Sequence, residues 1–283
     1  MPSPALPFIT APPRDVAGWV ACFDPAALPV LAETAATLEA LRANEDNVDA
    51  RLIAEAVSAD PLLTLKLLAH VARLRRQRQG DDGSDPETVT AALVMLGIGP
   101  FFRAFGPQPT VEDALASEPD ALEGFRAVLR RSHRAGNFAA AFAVHRMDHD
   151  VAVIHEAALL HDFAELLLWL RAPALALDIA ARQRAEPTLR SAAVQLERLN
   201  VELSDLQHAL MLAWSLPALL VQVSDDRHAE LAQVRNVLLA IRLARHSALG
   251  WDNAALPDDV DGVAELLQLG TEPTWKLLHD IDA

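Results

Sequence analysis

The chain has one cysteine, Cys22, no tyrosine, 11 glycines and only 5% aromatic residues in a length of 283. One cysteine excludes an internal disulfide and a cysteine-rich zinc site, and it suits a reducing compartment. So few glycines, against a usual share of about 7%, argue against a turn-rich sandwich or barrel. Positive charge is also scarce: 24 Lys and Arg stand against 39 Asp and Glu, a formal net charge of −15. Such a surface repels a phosphate backbone, which disfavours general nucleic-acid binding. Long apolar runs are missing as well. Residues 209–223 (ALMLAWSLPALLVQV) are interrupted by Ser215, Pro217 and Gln222, and no stretch reaches the ~18 clean apolar residues of a membrane span. The first residues, MPSPALPFITAPPRDVAGW, have no basic start before an apolar stretch and carry prolines at 2, 4, 7, 12 and 13. They do not read as a signal peptide. A cytoplasmic protein with no membrane contact is expected.

What the chain does have is 52% apolar residues, supplied mainly by Ala, Leu, Val and Ile in helical periodicity. Residues 1–23 read as a Pro-rich extended leader. Leu31, Thr34, Ala35, Leu38 and Leu41 then recur at three- and four-residue steps on one helix face. A helix over 49–57 precedes Asp60-Pro61, where Asp60 is placed to cap a helix whose first residue is Pro61. A further helix from about 86 to 96 stops at Gly97. Three prolines and three acids fall together at 106–119, which suggests a subdomain break between a lobe at 24–106 and a lobe at 119–250. The second lobe predicts helices at about 119–147, 151–171, 173–184, 187–199, 203–214, 217–224 and 228–249. Residues 251–283 read as an acidic linker, LPDDVDG, and a short C-terminal helix. With no alternating β-branched stretch to compete, the fold class is all-α in two helical lobes.

The helix at 156–171, EAALLHDFAELLLWLR, is apolar almost all round, and its polar exceptions cluster. His161, Asp162 and Glu165 lie at i, i+1 and i+4, within about a 100° arc at ~3.6 residues per turn. Buried polar groups need partners, because an unsatisfied one costs roughly 1–3 kcal/mol. Either imidazole and carboxylate are delivered together to a divalent ion that activates water, or they belong to a hydrogen-bond network between helices. His145 and His149 are also spaced for a metal, but HRMDH lacks the glutamate of HExxH and reads as a solvated polar turn.

LLHDF resembles the His-Asp pair of the HD superfamily of metal-dependent phosphohydrolases, and the chain resembles more specifically its HDOD branch, the HD-related output domains of bacterial signalling proteins. Five segments match in order over residues 24–250: LPVLAETAATLEAL, AEAVSADPLLTLKLLAHVA, TVTAALVMLGIGPFFRAF, AALLHDFAELLL and LERLNVELSDLQHALMLAWSLPALL. Departures from the pattern bear on function. Catalytic HD enzymes carry His-Asp-x-Gly-Lys, where this chain has Ala164 and Glu165. The upstream family histidine falls at Arg131, or at His133 after a two-residue shift. Leu203 occupies another histidine position, and a later His-His pair stands as Arg227-His228. Only His161 and Asp162 remain as a vestigial metal pair, with Arg131, His133, Glu165, Asp225, Asp226 and His228 around a vestigial pocket.

Two basic clusters stand out from the acidic background. Arg73, Arg75, Arg76 and Arg78 crowd one helix end, and Arg126, Arg130, Arg131 and Arg134 lie mostly on one helix face. They read as solvated surface, or as docking sites for an acidic partner or a nucleotide second messenger. The resemblance implies a cytoplasmic bacterial signalling module that binds a signalling protein or a small-molecule second messenger, without catalysis or cofactor; separately, Leu- and Ala-rich faces offer a route to a homo-oligomer. The alternative is an active HD phosphohydrolase acting on a nucleotide or phosphate ester through a divalent metal at His161 and Asp162.

Overall fold

The computed structural model describes residues 7–77, 86–186 and 188–282. Among the described residues there are seventeen α-helices: α1 Val16–Val20, α2 Ala32–Ala43, α3 Ala50–Ser58, α4 Pro61–Gln77, α5 Val89–Leu96, α6 Ile98–Ala104, α7 Val111–Ala114, α8 Pro119–His145, α9 Val151–Leu160, α10 Phe163–Arg171, α11 Pro173–Ala185, α12 Ser191–Leu199, α13 Leu203–Ala213, α14 Ala218–Val223, α15 Ala232–His246, α16 Leu256–Leu267 and α17 Thr271–Asp282. Extended pairing among them is limited to an isolated parallel bridge between Val30 and Thr110. The all-α expectation holds. No described helix is long and apolar enough to cross a membrane.

By contacts the chain forms two units. The first comprises residues 1–127 and 163–217, the second residues 128–162 and 218–283. The segment at 106–119, expected to separate two lobes, lies inside the first unit, and α8 passes from one unit to the other after Ala127.

In the first unit, α3 packs on α2, α4 and α5, α1 packs on α13, and α10 packs on α11 and α13. Asp60 behaves as its sequence implies. Its Oδ1 accepts the Leu62 and Leu63 N–H groups at 2.9 and 3.1 Å, while Oδ2 accepts Leu31 N–H at 2.7 Å. One buried carboxylate therefore caps α4 and fixes the residue that leads into α2. Gly97 ends α5 at φ 84, in the left-handed region that favours glycine. Gly124 is needed for a different reason, since a Cβ there would lie 2.5 Å from the Trp169 ring.

Two expectations need correction. The leader carries α1, capped by Asp15, whose Oδ1 accepts Gly18 N–H at 2.8 Å. Trp19 on that helix is fully buried and donates Nε1–H to Leu199 O at 2.8 Å. A large apolar anchor with a satisfied polar tip outweighs the local proline content. The acidic segment LPDDVDG is likewise the start of α16, not a linker. Leu256, Val260, Val263 and Leu267 recur at helical spacing and are buried, and the acids of its first turn suit the positive end of the helix dipole. Asp259, buried there, pairs with Arg242 Nη2 at 2.7 Å and with His246. In the second unit α9 packs on α14 and α15, and α16 packs on α15 and α17.

Candidate functional site

The His-Asp pair sits where the structure departs from the expected continuous helix over 151–171. α9 ends at Leu160 and α10 starts at Phe163. His161 N–H reaches back to Ala158 O at 3.4 Å, a three-residue step, so the α-ladder is interrupted at the pair. The side chains here are held by partners distant in sequence.

Asp162 is nearly buried, and both of its oxygens are fully engaged. Oδ2 accepts Arg131 Nε at 2.8 Å and Arg131 Nη2 at 2.7 Å. Oδ1 accepts Arg245 Nη2 at 3.2 Å and meets His161 Nδ1 at 3.2 Å. A carboxylate offers about four lone-pair directions, and all four are taken. Burial alone would raise its pKa, but the Arg131 and Arg245 guanidiniums, with His161, hold it well below the usual carboxylate range.

His161 is also engaged at both ring nitrogens. Nε2 lies 3.0 Å from Asp226 Oδ1, opposite the contact of Nδ1 with Asp162. Burial disfavours its charge, but the hydrogen bonds to these two carboxylates prevail and raise its pKa to about 9. The ring is an imidazolium near neutral pH and donates from both nitrogens. The cluster thus sets three cations, Arg131, Arg245 and His161, against two carboxylates, Asp162 and Asp226.

A divalent metal does not fit this arrangement. Ligation requires an imidazole lone pair and free carboxylate oxygens, whereas here both ring nitrogens of His161 face carboxylates and the Asp162 oxygens are occupied by guanidinium N–H groups. Among the described residues no group of three or more His, Cys, Asp or Glu side chains is placed to hold a metal ion. What the cluster does offer is an ion-paired link among residues of the second unit, from α8 (Arg131), the end of α9 (His161 and Asp162), α15 (Arg245) and the 3-10 turn at Asp226–His228.

The other expected pocket residues divide. Asp226 joins the cluster. Asp225 instead caps the same turn and binds Arg227 Nε at 2.8 Å, while the exposed His228 meets Glu230 Oε1 at 3.2 Å. His133 is half-buried, and burial pushes its pKa below the ordinary value; its electrostatic neighbour is His155, not the cluster. Glu165 sits in the first turn of α10, in the first unit. Of the basic residues, Arg134 is engaged internally and does not face a partner: it forms a fork to Asp282 at 2.7 and 2.8 Å and donates to Ser247 Oγ at 2.8 Å. Arg126 lies in the first unit and Arg130 in the second. Arg73, Arg75 and Arg76 lie in the last turns of α4, and Arg78 lies outside the described residues. Sequence reasoning missed Arg245. It lies 83 residues from Asp162, and its only signal is a basic residue near the end of an apolar helix.

The family model described as HDOD domain matches residues 28–230. Among solved structures, the MmoQ response regulator of Methylococcus capsulatus strain Bath is similar at a TM-score of 0.64 and 20% identity, covering 89% of this chain and 98% of that one. A virulence factor of Campylobacter jejuni follows at 0.58 and 19%, covering 85% and 84%. An HDOD domain protein with unknown function from Geobacter sulfurreducens aligns at 0.50 and 15%, covering 94% and 92%. These likenesses are of fold. No curated protein matches the chain.

Proposed function

The chain belongs to the HDOD domain family, and we propose that it is a cytoplasmic regulatory module of bacterial signalling that works by binding a protein or a small ligand, without metal-dependent hydrolysis. The observation that supports this reading most is the Arg131 fork on Asp162. Arg131 is one of the two positions, with His133, where the resemblance expects a histidine ligand, and its fixed positive charge occupies the carboxylate oxygens that a metal would need. Arg245 and the protonated His161 complete the compensation. A guanidinium cannot be deprotonated at physiological pH, so the substitution is not undone by pH or metal supply. The positive charge around the His-Asp pair comes from side chains.

Reconstitution tests the reading. The demetallated protein is loaded in turn with Mn, Mg, Fe and Zn, its bound metal is quantified, and it is assayed on a panel of nucleotides and phosphate esters. No stoichiometric metal and no turnover are expected. Stoichiometric metal together with hydrolysis that is abolished in His161→Ala would overturn it and restore the phosphohydrolase reading.

A further inference from the structure

Two adjoining hollows of the first unit differ in character and share a buried lysine. The larger, about 970 Å³, is walled mainly by apolar side chains, among them Phe8, Phe23, Leu28, Pro107 and Leu170. The smaller, about 330 Å³, is lined by Lys66, His70, Arg73 and Arg76. Asp24, Ala26, Lys66 and Gln108 line both, so the hollows meet around the Lys66 ammonium. All their lining residues belong to the first unit, whereas the His161 cluster belongs to the second.

Lys66 is 6% exposed in an otherwise apolar stretch of α4. Its Nζ donates to Leu28 O at 2.6 Å and to Gln108 Oε1, which leaves one of its three donors. Burial lowers its pKa to about 8, against the pull of Asp60 and Asp24. Asp24, the carboxylate at the junction, is oriented as a cap and accepts Ala26 N–H at 2.9 Å. Arg73 contacts His70 Nδ1 at 3.2 Å, and among the described residues neither Arg73 nor Arg76 has a carboxylate partner. In a chain of net charge −15, such a cluster is a local reversal of sign. On the wall of the larger hollow, Arg171 has a buried Nε–H with no acceptor among the described residues.

We propose that this double hollow binds an amphiphilic organic anion, with its carboxylate or phosphate among Lys66, Arg73 and Arg76 and its apolar body in the larger hollow, within reach of Arg171. The size and mixed lining match those of small-molecule sites, mostly apolar with a few polar groups that fix orientation. The regulatory reading gives this binding its purpose as an input, and the proposal rests on that reading to this extent. Binding itself is measured on a unit that does not contain the His161 cluster, so a failure here is separate from the outcome of metal reconstitution.

Cys22, the single cysteine of the chain and half-buried in the wall of the larger hollow, reports occupancy directly. Decyl phosphate and decanoate, below their micelle-forming concentrations, are titrated by calorimetry beside decanol and inorganic phosphate. Cys22 alkylation by iodoacetamide is followed by mass spectrometry with each. At least one decyl anion is expected to bind about tenfold or more tighter than decanol and to slow alkylation in proportion to occupancy. Whichever of the two binds more tightly distinguishes a phosphate from a carboxylate ligand. In the Arg73→Gln/Arg76→Gln variant, whose changes are on exposed side chains, affinity for the anion should fall about tenfold while that for decanol stays level. Binding no tighter than decanol, affinity unchanged in the variant, or alkylation indifferent to bound anion would each overturn the proposal.

Discussion

Asp60 and Asp162 are aspartates at helix junctions of the two units, one buried and one nearly so, yet their surroundings push them in opposite directions. Asp60 is surrounded by backbone N–H donors from Leu31, Leu62 and Leu63. These are neutral, and burial prevails over them to raise its pKa. Asp162 is surrounded by two guanidiniums and an imidazolium, which prevail over burial and lower its pKa. The difference separates a carboxylate that shapes backbone from one that carries a site. The first acts mainly as an acceptor, with the Lys66 ammonium as its nearby charge, and burial still opposes its ionisation. The second needs its charge, because three cations are arranged around it and Asp226.

Isosteric removal of each charge should therefore give unequal results. Asp162→Asn leaves Arg131, 16% exposed, without its counter-charge and should destabilise the protein by about 3 kcal/mol, the scale for breaking a buried pair from one side. Asp60→Asn sacrifices at most one backbone hydrogen bond while removing a charge that burial opposes, and should cost about 1 kcal/mol. Urea denaturation of the two variants measures both. Equal losses would erase the distinction drawn between the two sites.

The two regions also differ in how far they are legible in the sequence. The α4 cap can be read locally, since Asp60 and Pro61 are adjacent and the apolar period begins at once. The His161-Asp162 pair is visible as a motif, but its chemistry depends on Arg131, Asp226 and Arg245, which lie 31, 65 and 83 residues away from their partners. Spacing along one helix cannot convey that, and it also suggested a continuous helix where side-chain bonds accompany a break. The acidic start of α16 shows the converse error: charge was given more weight than the buried period of Leu256, Val260, Val263 and Leu267. Lys66 was overlooked inside LLTLKLLAHV although a lone charge in an apolar run marks a buried, partnered group.

The central claim, that side-chain cations occupy the place of a metal at the His-Asp pair, is tested most directly by nitrogen NMR of the His161 ring as a function of pH. A folded pKa of about 9 lies above the ordinary histidine value of about 6.5. The protonated ring therefore stabilises the fold fully below about pH 6.5, and that contribution is lost as pH rises through about 9. An imidazolium with both nitrogens protonated at neutral pH and a midpoint near 9 is expected. A neutral ring at about pH 7.5, with a midpoint near its ordinary value and one nitrogen lone pair open to a metal, would contradict it.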